Sequence, residues 1–310
     1  MEKPTLEQLE AQLEEIERHE ESSELEWQFQ NALMEYRGED QVISFQKYRD
    51  ENKNTKLVGF NSGLGALDEL TSGFHKGDLI TITGETGQGK TSFSQFLTSQ
   101  FSKDKIKSLW FSYEMPVLNF LAKFGEDLPD GYLPKVLSDR NITWIERKIV
   151  EGIVKFKIQV VFIDHLHYLF NLRETKNVSL EIGDIMRSLK IIAKKYNITI
   201  FIMAHTGKSR DDGSVGLDNI RDSSFVAQES DYVIAVWRDK VKQNRETLQA
   251  DGIKYTGDTT IFVAKNRYTG LVSSIKTKYV HATNTYSVNQ SVMMPTKKEV
   301  EEIVVNDLSL

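Results

Sequence analysis

A glycine-rich segment that begins at residue 84 has the residue types and the spacing that hold phosphate groups. It matches the pattern G-x-x-x-x-G-K-[ST] from Gly84 to Thr91. Glycines let backbone N–H groups turn inward around phosphate oxygens, and a following helix presents its positive N-terminus to them. In this pattern Lys90 reaches the β and γ phosphates and Thr91 holds Mg²⁺. The segment therefore predicts a site for ATP and Mg²⁺ lined by Gly84, Glu85, Thr86, Gly87, Gln88, Gly89, Lys90, Thr91 and Ser92.

Two carboxylates follow apolar runs that we expect to be strands. Asp164 ends the run 160–163, where the metal-binding acid of a nucleoside triphosphatase sits. Many strands end in aspartate, but this one lies at a suitable distance after the phosphate-binding segment. Glu114 follows the run 108–112, and a glutamate there can act as general base on the attacking water. The competing interpretation of Glu114 is a helix-capping acid.

A histidine follows a third apolar run. His205 comes directly after residues 200–204, where its side chain can hydrogen-bond the γ-phosphate or relay the state of the nucleotide to the next segment. A single histidine is more often structural, and that interpretation stays open. We expect His165 and His167 to be packing and loop residues, because no third ligand has the spacing of a metal site.

Two polar loops, residues 171–177 and 207–213, are expected at the same edge of the sheet. Loops at the carboxyl ends of parallel strands form the functional face of an open α/β sheet. Four basic side chains in them are candidates for contacting nucleic-acid phosphates: Arg173, Lys176, Lys208 and Arg210. Ordinary solvated loops are the competing interpretation.

The elements that must position these side chains are short apolar runs separated by helical patterns. The runs cover residues 79–83, 108–112, 160–163, 198–204, 232–237 and 260–264, and residues 179–196 form the clearest helical pattern. Strands alternating with helices predict an α/β fold with a mostly parallel, doubly wound sheet. The last two runs have no helix between them, which predicts an antiparallel edge.

The composition excludes several classes of protein. The 310 residues contain no cysteine, which excludes disulfide scaffolds, thiolate metal sites and cysteine nucleophiles. No apolar run approaches the roughly 20 residues that cross a bilayer. The sequence starts with an acidic stretch unlike a signal peptide, so we expect a cytoplasmic protein without membrane contact.

Charge is distributed unevenly along the chain. Residues 1–50 hold 14 acids and 5 bases, a balance of −9, which leaves 31 acids and 34 bases, or +3, in residues 51–310. We therefore expect an acidic helical arm over 1–50, a polar linker over 50–56, a main domain over 57–290 and an acidic tail over 291–310. In the arm, the pattern predicts one helix over residues 25–36.

A narrow apolar stripe marks a further predicted helix in the arm. Leu6, Leu9, Leu13 and Ile16 recur at steps of three and four residues. Such a stripe needs a partner surface, and the sequence leaves open whether that surface belongs to the same chain or to a neighbouring subunit.

The order of these segments resembles the C-terminal motor domain of ring-shaped replicative DNA helicases of the DnaB type. The resemblance covers about residues 57–285 and implies a RecA-like P-loop NTPase fold. Residues 111–116 resemble the family's strand with the catalytic glutamate, and residues 217–224 its DNA-binding segment, which implies DNA contacts for Arg221, Asp222 and Ser224. Residues 264–270 resemble the family's K-x-R segment, in which Lys265 and Arg267 would reach the γ-phosphate of a neighbouring subunit.

The resemblance implies a hexameric, ATP-driven helicase that moves 5′ to 3′ on single-stranded DNA, with a primase or a loader as further partners. Bacterial members carry a globular N-terminal domain that has no counterpart in the short arm, and they usually have glutamine where His205 stands. A minimal, phage-type form in a bacterial or phage-infected cell is therefore expected.

Two other functions stay open. One is a RecA-fold ATPase of the recombinase or clock-protein kind, stimulated by DNA but unable to unwind it. The other is a regulatory nucleotide switch that binds a partner through the acidic arm. Unwinding of a forked DNA substrate separates the helicase from both.

Overall fold

The computed structural model of the chain describes residues 23–36, 38, 41–53, 59–169, 178–205, 223–240 and 255–288. The chain divides into two compact units, Met1–Leu57 and Val58–Leu310. The predicted helix with the stripe Leu6, Leu9, Leu13 and Ile16 lies outside the described residues, as does the tail over 291–310.

The first unit contains two described helices, α1 (Ser23–Glu35) and α2 (Phe45–Glu51). The helix expected over 25–36 is confirmed. The linker expected over 50–56 is wrong at its start, because α2 continues through residue 51. Helix α2 begins where the side chain of Ser44 accepts a hydrogen bond from the backbone N–H of Lys47 at 3.1 Å. It buries no side chain, so it left no apolar pattern in the sequence.

The second unit is built from helices and one mixed sheet. Its described helices are α3 (Gly65–Thr71), α4 (Lys90–Lys103), α5 (Val117–Ala122), α6 (Ile142–Phe156), α7 (Val178–Lys195) and α8 (Ser223–Glu229). Its described strands are β1 (Leu79–Gly84), β2 (Ser108–Ser112), β3 (Gly131–Tyr132), β4 (Val160–Asp164), β5 (Thr199–His205), β6 (Tyr232–Lys240), β7 (Tyr255–Asn266), β8 (Ser273–Val280) and β9 (Thr285–Val288).

Within the described residues the sheet order is β3-β2-β4-β5-β1-β6-β7-β8-β9. Strands β1 to β6 are parallel to one another, and β7, β8 and β9 continue the sheet as an antiparallel meander. The expected α/β fold with a parallel sheet and an antiparallel edge is confirmed. Because the parallel strands end together, the residues that follow β1, β2, β4 and β5 meet at one edge.

Apolar side chains cover both faces of the parallel strands, as the continuous apolar runs predicted. Strand β5 shows the alternation. Its residues Ile200 and Ile202 pack into the layer that contains helices α6 and α7, whereas Phe201 and Met203 pack into the layer that contains α4. The strands are packed between these two apolar layers, and this packing fixes the positions of their carboxyl ends. No helix in the described parts of the chain is long and apolar enough to cross a membrane.

Candidate active site

The phosphate-binding segment is a tight loop between β1 and α4. Gly84 ends the strand with φ +149°, and a Cβ atom added there would lie 2.3 Å from the carbonyl oxygen of Val236. Gly87 and Gly89 also have positive φ angles, of 78° and 99°. Residues other than glycine rarely adopt these backbone conformations. The sequence therefore forms an open loop of backbone N–H groups at the N-terminus of α4, which suits an anion.

Lys90 opens α4, and its ammonium group lies inside the loop. Its Nζ donates to the carbonyl oxygens of Gly84 at 2.9 Å and Glu85 at 3.0 Å, and it lies 3.0 Å from Nδ1 of His205. The residue is only 5% exposed. Burial lowers the pKa of Lys90 to about 8, against the opposing effect of nearby carboxylates. The ammonium group is therefore held where the phosphates of a nucleotide would replace its carbonyl partners.

Asp164 and Thr91 form the predicted metal pair. The hydroxyl of Thr91 donates to Oδ2 of Asp164 at 2.8 Å. Asp164 is fully buried at the end of β4, and its other oxygen, Oδ1, has no hydrogen-bond partner among the described residues. Burial is the largest cause that raises the pKa of Asp164 to about 6, and the charge of Glu114 adds to it. A buried oxygen without a partner beside a threonine hydroxyl suits Mg²⁺, which prefers oxygen ligands.

Glu114 lies beside this pair. Strand β2 aligns Ser112 with Asp164 of β4, and Glu114 follows two residues later with an exposed side chain. Exposure leaves its carboxylate accessible to a water molecule in the crevice. This position is compatible with the predicted role of Glu114 as a general base.

Two histidines complete this edge of the sheet. His205 ends β5, and its ring centroid lies 4.2 Å from that of His165, which follows β4. Burial lowers the pKa of His165 to about 3 and that of His205 to about 4, and the charge of Lys90 acts in the same direction on both. Both imidazoles are therefore neutral near pH 7. Neutral rings can accept a hydrogen bond from Lys90 or donate one to a phosphate oxygen.

The sequence did not indicate that His165 lies close to Glu114 and His205. Ligand atoms of Glu114, His165 and His205 all lie within 4.8 Å of one another, so His165 belongs to the site rather than to a separate loop. Its place depends on the pairing of β4 with β5, which joins residues distant in the sequence. No local pattern around residue 165 contained that signal.

The predicted pair Lys265 and Arg267 lies at the other end of the sheet. Strand β7 aligns Lys265 with Val233 at the start of β6, and β6 runs parallel to β1. The pair is therefore near the amino end of β1, and the length of β1, five residue steps, is roughly 17 Å. The site around Lys90 stands at the carboxyl end of that strand. The two predicted parts of the site are not brought together within one chain.

Comparisons with known proteins agree with this geometry. The sequence profile described as the DnaB-like helicase C-terminal domain matches residues 59–124 and 136–288. The chain belongs to the DnaB-like helicase family.

Several relatives of this chain are named replicative DNA helicase DnaB. The replicative DNA helicase DnaB of Mycoplasma pneumoniae is 27% identical over 82% of this chain and 61% of its own length. The same-named protein of Helicobacter pylori strain 26695 is 28% identical over 65% of this chain and 48% of its own length. The chain thus spans about half to three-fifths of the length of the curated relatives it matches.

Solved structures show the same fold. The chain resembles a solved helicase ATPase domain, with a TM-score of 0.62 at 16% identity over 78% of this chain and 96% of that one. It also resembles a DnaB-like replicative helicase described with its interactions with primase, with a TM-score of 0.64 at 16% identity over 90% of this chain and 74% of that one. The RecA-like fold of a helicase ATPase domain, expected from the sequence, is confirmed.

The structure describes only one of the residues that are predicted to contact DNA in this DnaB-like chain. Six of the seven lie outside the described residues: Arg173, Lys176, Lys208, Arg210, Arg221 and Asp222. Ser224 lies in the first turn of α8. Their DNA contacts stay predictions.

The crowding around Gly84 gives a testable prediction. Gly84→Ala places a methyl group against the Val236 carbonyl, so we expect a loss of stability of about 1–3 kcal/mol and at least tenfold weaker binding of a non-hydrolysable ATP analogue. Thermal unfolding and calorimetric titration measure the two effects. Gly65→Ala is the matched control, since an added Cβ at Gly65 meets nothing within 4 Å. Unchanged analogue binding by the Gly84 variant would contradict this account of the loop.

Proposed function

We propose that the chain is the motor of an ATP-driven replicative DNA helicase, which encircles single-stranded DNA as a hexamer and unwinds duplex in the 5′ to 3′ direction. One observation carries the proposal. The groups proposed to hydrolyse ATP lie together at the carboxyl ends of β1, β2, β4 and β5, while the predicted pair Lys265 and Arg267 lies at the opposite end of the sheet. Such a division of the site between two ends is what a ring of identical motors requires.

Within one subunit, the roles follow from the contacts. Lys90 exchanges its carbonyl partners for the β and γ phosphates and balances their charge. Thr91 and Asp164 would hold Mg²⁺, which neutralises charge on the phosphates when bound. Glu114 removes a proton from the attacking water, and its exposure next to the buried pair leaves room for that water.

His205 is proposed as the group that senses the γ-phosphate. Its Nδ1 lies 3.0 Å from Nζ of Lys90 and 3.4 Å from the hydroxyl of Thr86. It also directly precedes residues 206–224, which contain the predicted DNA-binding segment 217–224. When Lys90 turns to the nucleotide, His205 loses that partner. The histidine thus stands between the phosphate site and the segment proposed to hold DNA.

Arg267 is proposed to act on the nucleotide of the neighbouring subunit, and Lys265 lies two residues before it. The pair lies at the far end of β1 from its own phosphate-binding loop, so reaching its own nucleotide would require a span of roughly 17 Å or more. An arginine supplied from a neighbour stabilises the charge that develops on the transferred phosphoryl group. This role makes hydrolysis dependent on assembly.

We propose that DNA is held by the loops at the catalytic edge of the sheet. Arg173, Lys176, Lys208, Arg210, Arg221, Asp222 and Ser224 are the proposed contacts. The net charge of +3 over residues 51–310 supports this, because binding depends on where the charges lie rather than on the acidic total. Contacts to backbone phosphates would serve all sequences alike, as a moving motor needs.

For ring assembly we propose that the acidic arm of one copy docks on the motor of the next. A cavity of about 510 Å³ lies between β3 and α6. Two exposed apolar side chains, Val136 and Phe156, line it together with Lys135. An arm with a net charge of −9 and an apolar stripe complements such a basic and apolar surface. A primase or loader in the cytoplasm of a bacterial or phage-infected cell is the proposed further partner.

The alternative is a RecA-fold, DNA-stimulated ATPase without unwinding activity. The same catalytic edge would serve it, so strand separation is what tells the two apart.

A forked DNA substrate tests the function. We expect ATP-dependent unwinding of a fork whose 5′ tail is free to load the ring. Glu114→Gln should bind nucleotide but lose hydrolysis and unwinding, because only the base is removed, and Lys90→Ala should lose turnover because the phosphates lose their buried cation. Turnover, analogue binding and strand release are measured on the same preparations. DNA-stimulated hydrolysis without strand release would favour the alternative.

The position of Arg267 predicts complementation between two inactive proteins. Lys90→Ala subunits keep Arg267, and Arg267→Ala subunits keep the phosphate site. Mixed before assembly, they should recover turnover with a maximum at intermediate ratios, since an arginine finger is worth about 10³–10⁵ in rate. Mixed rings with no activity at any ratio would exclude the role across the interface.

The arm gives a prediction on assembly. Leu9→Asp together with Leu13→Asp puts two charges on the apolar stripe, and burying either without a partner is costly. Light scattering should show smaller particles, while circular dichroism shows a folded motor. Glu10→Gln with Glu14→Gln, off the stripe, is the control that should leave particle mass unchanged. A full-sized ring of the aspartate variant would place the stripe outside the subunit contact.

A further inference from the structure

A buried carboxylate at the amino end of β1 is not used by the proposed hydrolysis. Asp231 is 1% exposed and lies between α8 and β6. Its Oδ2 accepts from the backbone N–H of Leu79 at 2.8 Å and from the ammonium group of Lys190 on α7. Its Oδ1 pairs with Nη1 of Arg267 at 3.2 Å. The same carboxylate therefore joins β1, α7 and the turn after β7.

Backbone contacts fix this arrangement further. The N–H of Asp231 donates to the carbonyl of Leu79 at 2.8 Å, and the N–H of Arg267 donates to the carbonyl of Asp231 at 2.9 Å. Arg267 is thus held to Asp231 through both its main chain and its side chain. Asp231 is in turn held to Leu79, the first residue of the strand that ends in the phosphate-binding loop.

Lys265 makes a different set of contacts from Arg267. Its ammonium group donates to the carbonyl oxygens of Ala227 and Gln228 and to that of Ser230 at 2.8 Å, at the C-terminal end of α8. A lysine has three N–H donors, and three carbonyls occupy them. A cation at the carbonyl end of a helix also satisfies the acceptors left open there. Lys265 therefore fastens the end of α8.

Arg267 keeps donors to spare. Its Nη2 donates to the carbonyl of Gln228 at 2.6 Å, and its Nη1 contacts Asp231. A guanidinium group has five N–H donors in a fixed fork, so two inward contacts leave three for another partner. The side chain is 43% exposed. The contacts with Gln228 and Asp231 orient the plane of the group, while the side chain as a whole stays partly exposed.

We propose that Asp231 is the positioning residue for Arg267, holding the guanidinium group in the orientation in which its free N–H donors meet the phosphates of a neighbouring copy's nucleotide. The inference rests on the proposed role of Arg267 across the interface. Lys265 supports it by fixing the helix end against which the guanidinium lies. Without the carboxylate the long arginine side chain would occupy many rotamers, and a misplacement of about 1 Å can cost about 10²-fold in rate.

The test must remove the carboxylate without leaving a buried charge behind. Asp231→Asn alone would strand the ammonium group of Lys190, which would keep only its hydrogen bond to the carbonyl of Gly77 at 2.8 Å. Lys190→Met is therefore the reference, and Lys190→Met with Asp231→Asn is the test variant. Asparagine keeps an oxygen for the N–H of Leu79 but loses the charge that pairs with Arg267. Equal unfolding midpoints of the two proteins show that the fold is preserved.

The experiment uses mixed rings of the full chain. Lys90→Ala subunits donate the arginine, and Arg267→Ala subunits supply the phosphate site. The test pair of substitutions is placed either in the donor or in the acceptor, and kcat and KM for ATP are compared with rings that carry only Lys190→Met in the same place. In the donor, we expect kcat to fall at least tenfold with KM within about twofold. In the acceptor, which has no Arg267, we expect kcat within about twofold of the reference.

Two other outcomes of the mixed-ring experiment would contradict either the role of Asp231 or that of Arg267. Equal losses in donor and acceptor, or no loss in the donor, would overturn the positioning role while leaving Arg267 as the finger. No recovery by the parent pair, with mixed rings demonstrated by mass, would overturn the action of Arg267 across the interface and the present inference with it.

Discussion

The burial of one ammonium group is the constraint on which the catalytic edge depends. Lys90 is 5% exposed at the end of an otherwise apolar sheet, where an unpaired charge would be strongly destabilising. Each neighbouring strand end supplies an acceptor or a negative charge near this ammonium group. These are carbonyl oxygens at the end of β1, Asp164 at the end of β4, Glu114 after β2 and the imidazole of His205 at the end of β5. The groups that stabilise this ammonium group are therefore the ones that a nucleotide and Mg²⁺ would engage. Binding exchanges partners and creates no new buried charge without one.

The sequence allowed the catalytic edge to be predicted because its signals are local. The glycine pattern around Lys90, the strand that ends in Asp164 and the apolar run before His205 each lie within a few consecutive residues. The parallel sheet then brings such strand ends together without further information. Helix α2 and strand β3 were not foreseen, since one buries no side chain and the other has only two residues. Neither element therefore produces a periodic pattern of apolar residues in the sequence.

The contacts that hold Arg267 could not have been predicted in this way. Asp231 meets Leu79 across 152 positions and Lys190 across 41. The contacts of Asp231 depend on β6 lying beside β1 and on α7 lying at the same end of the sheet. A single aspartate before an apolar strand indicates neither arrangement. The placement of His165 beside His205 has the same origin. Local patterns identified the groups proposed to touch the substrate, whereas the groups that hold them in place depend on tertiary packing.

Strand β1 joins the two parts of the proposed site. Its carboxyl end opens into the loop around Lys90, and its amino end is hydrogen-bonded to Asp231, which holds Arg267. The strand is buried throughout and paired with β5 and β6 on its two sides, so it has no freedom to move independently of the sheet. In a ring, the nucleotide held at one end of β1 and the neighbour's nucleotide approached from its other end would be separated by one rigid strand. A subunit that shifts to follow its own nucleotide must then move its arginine relative to the next site, which gives a physical reason for hydrolysis to pass around the ring rather than to occur independently in each subunit.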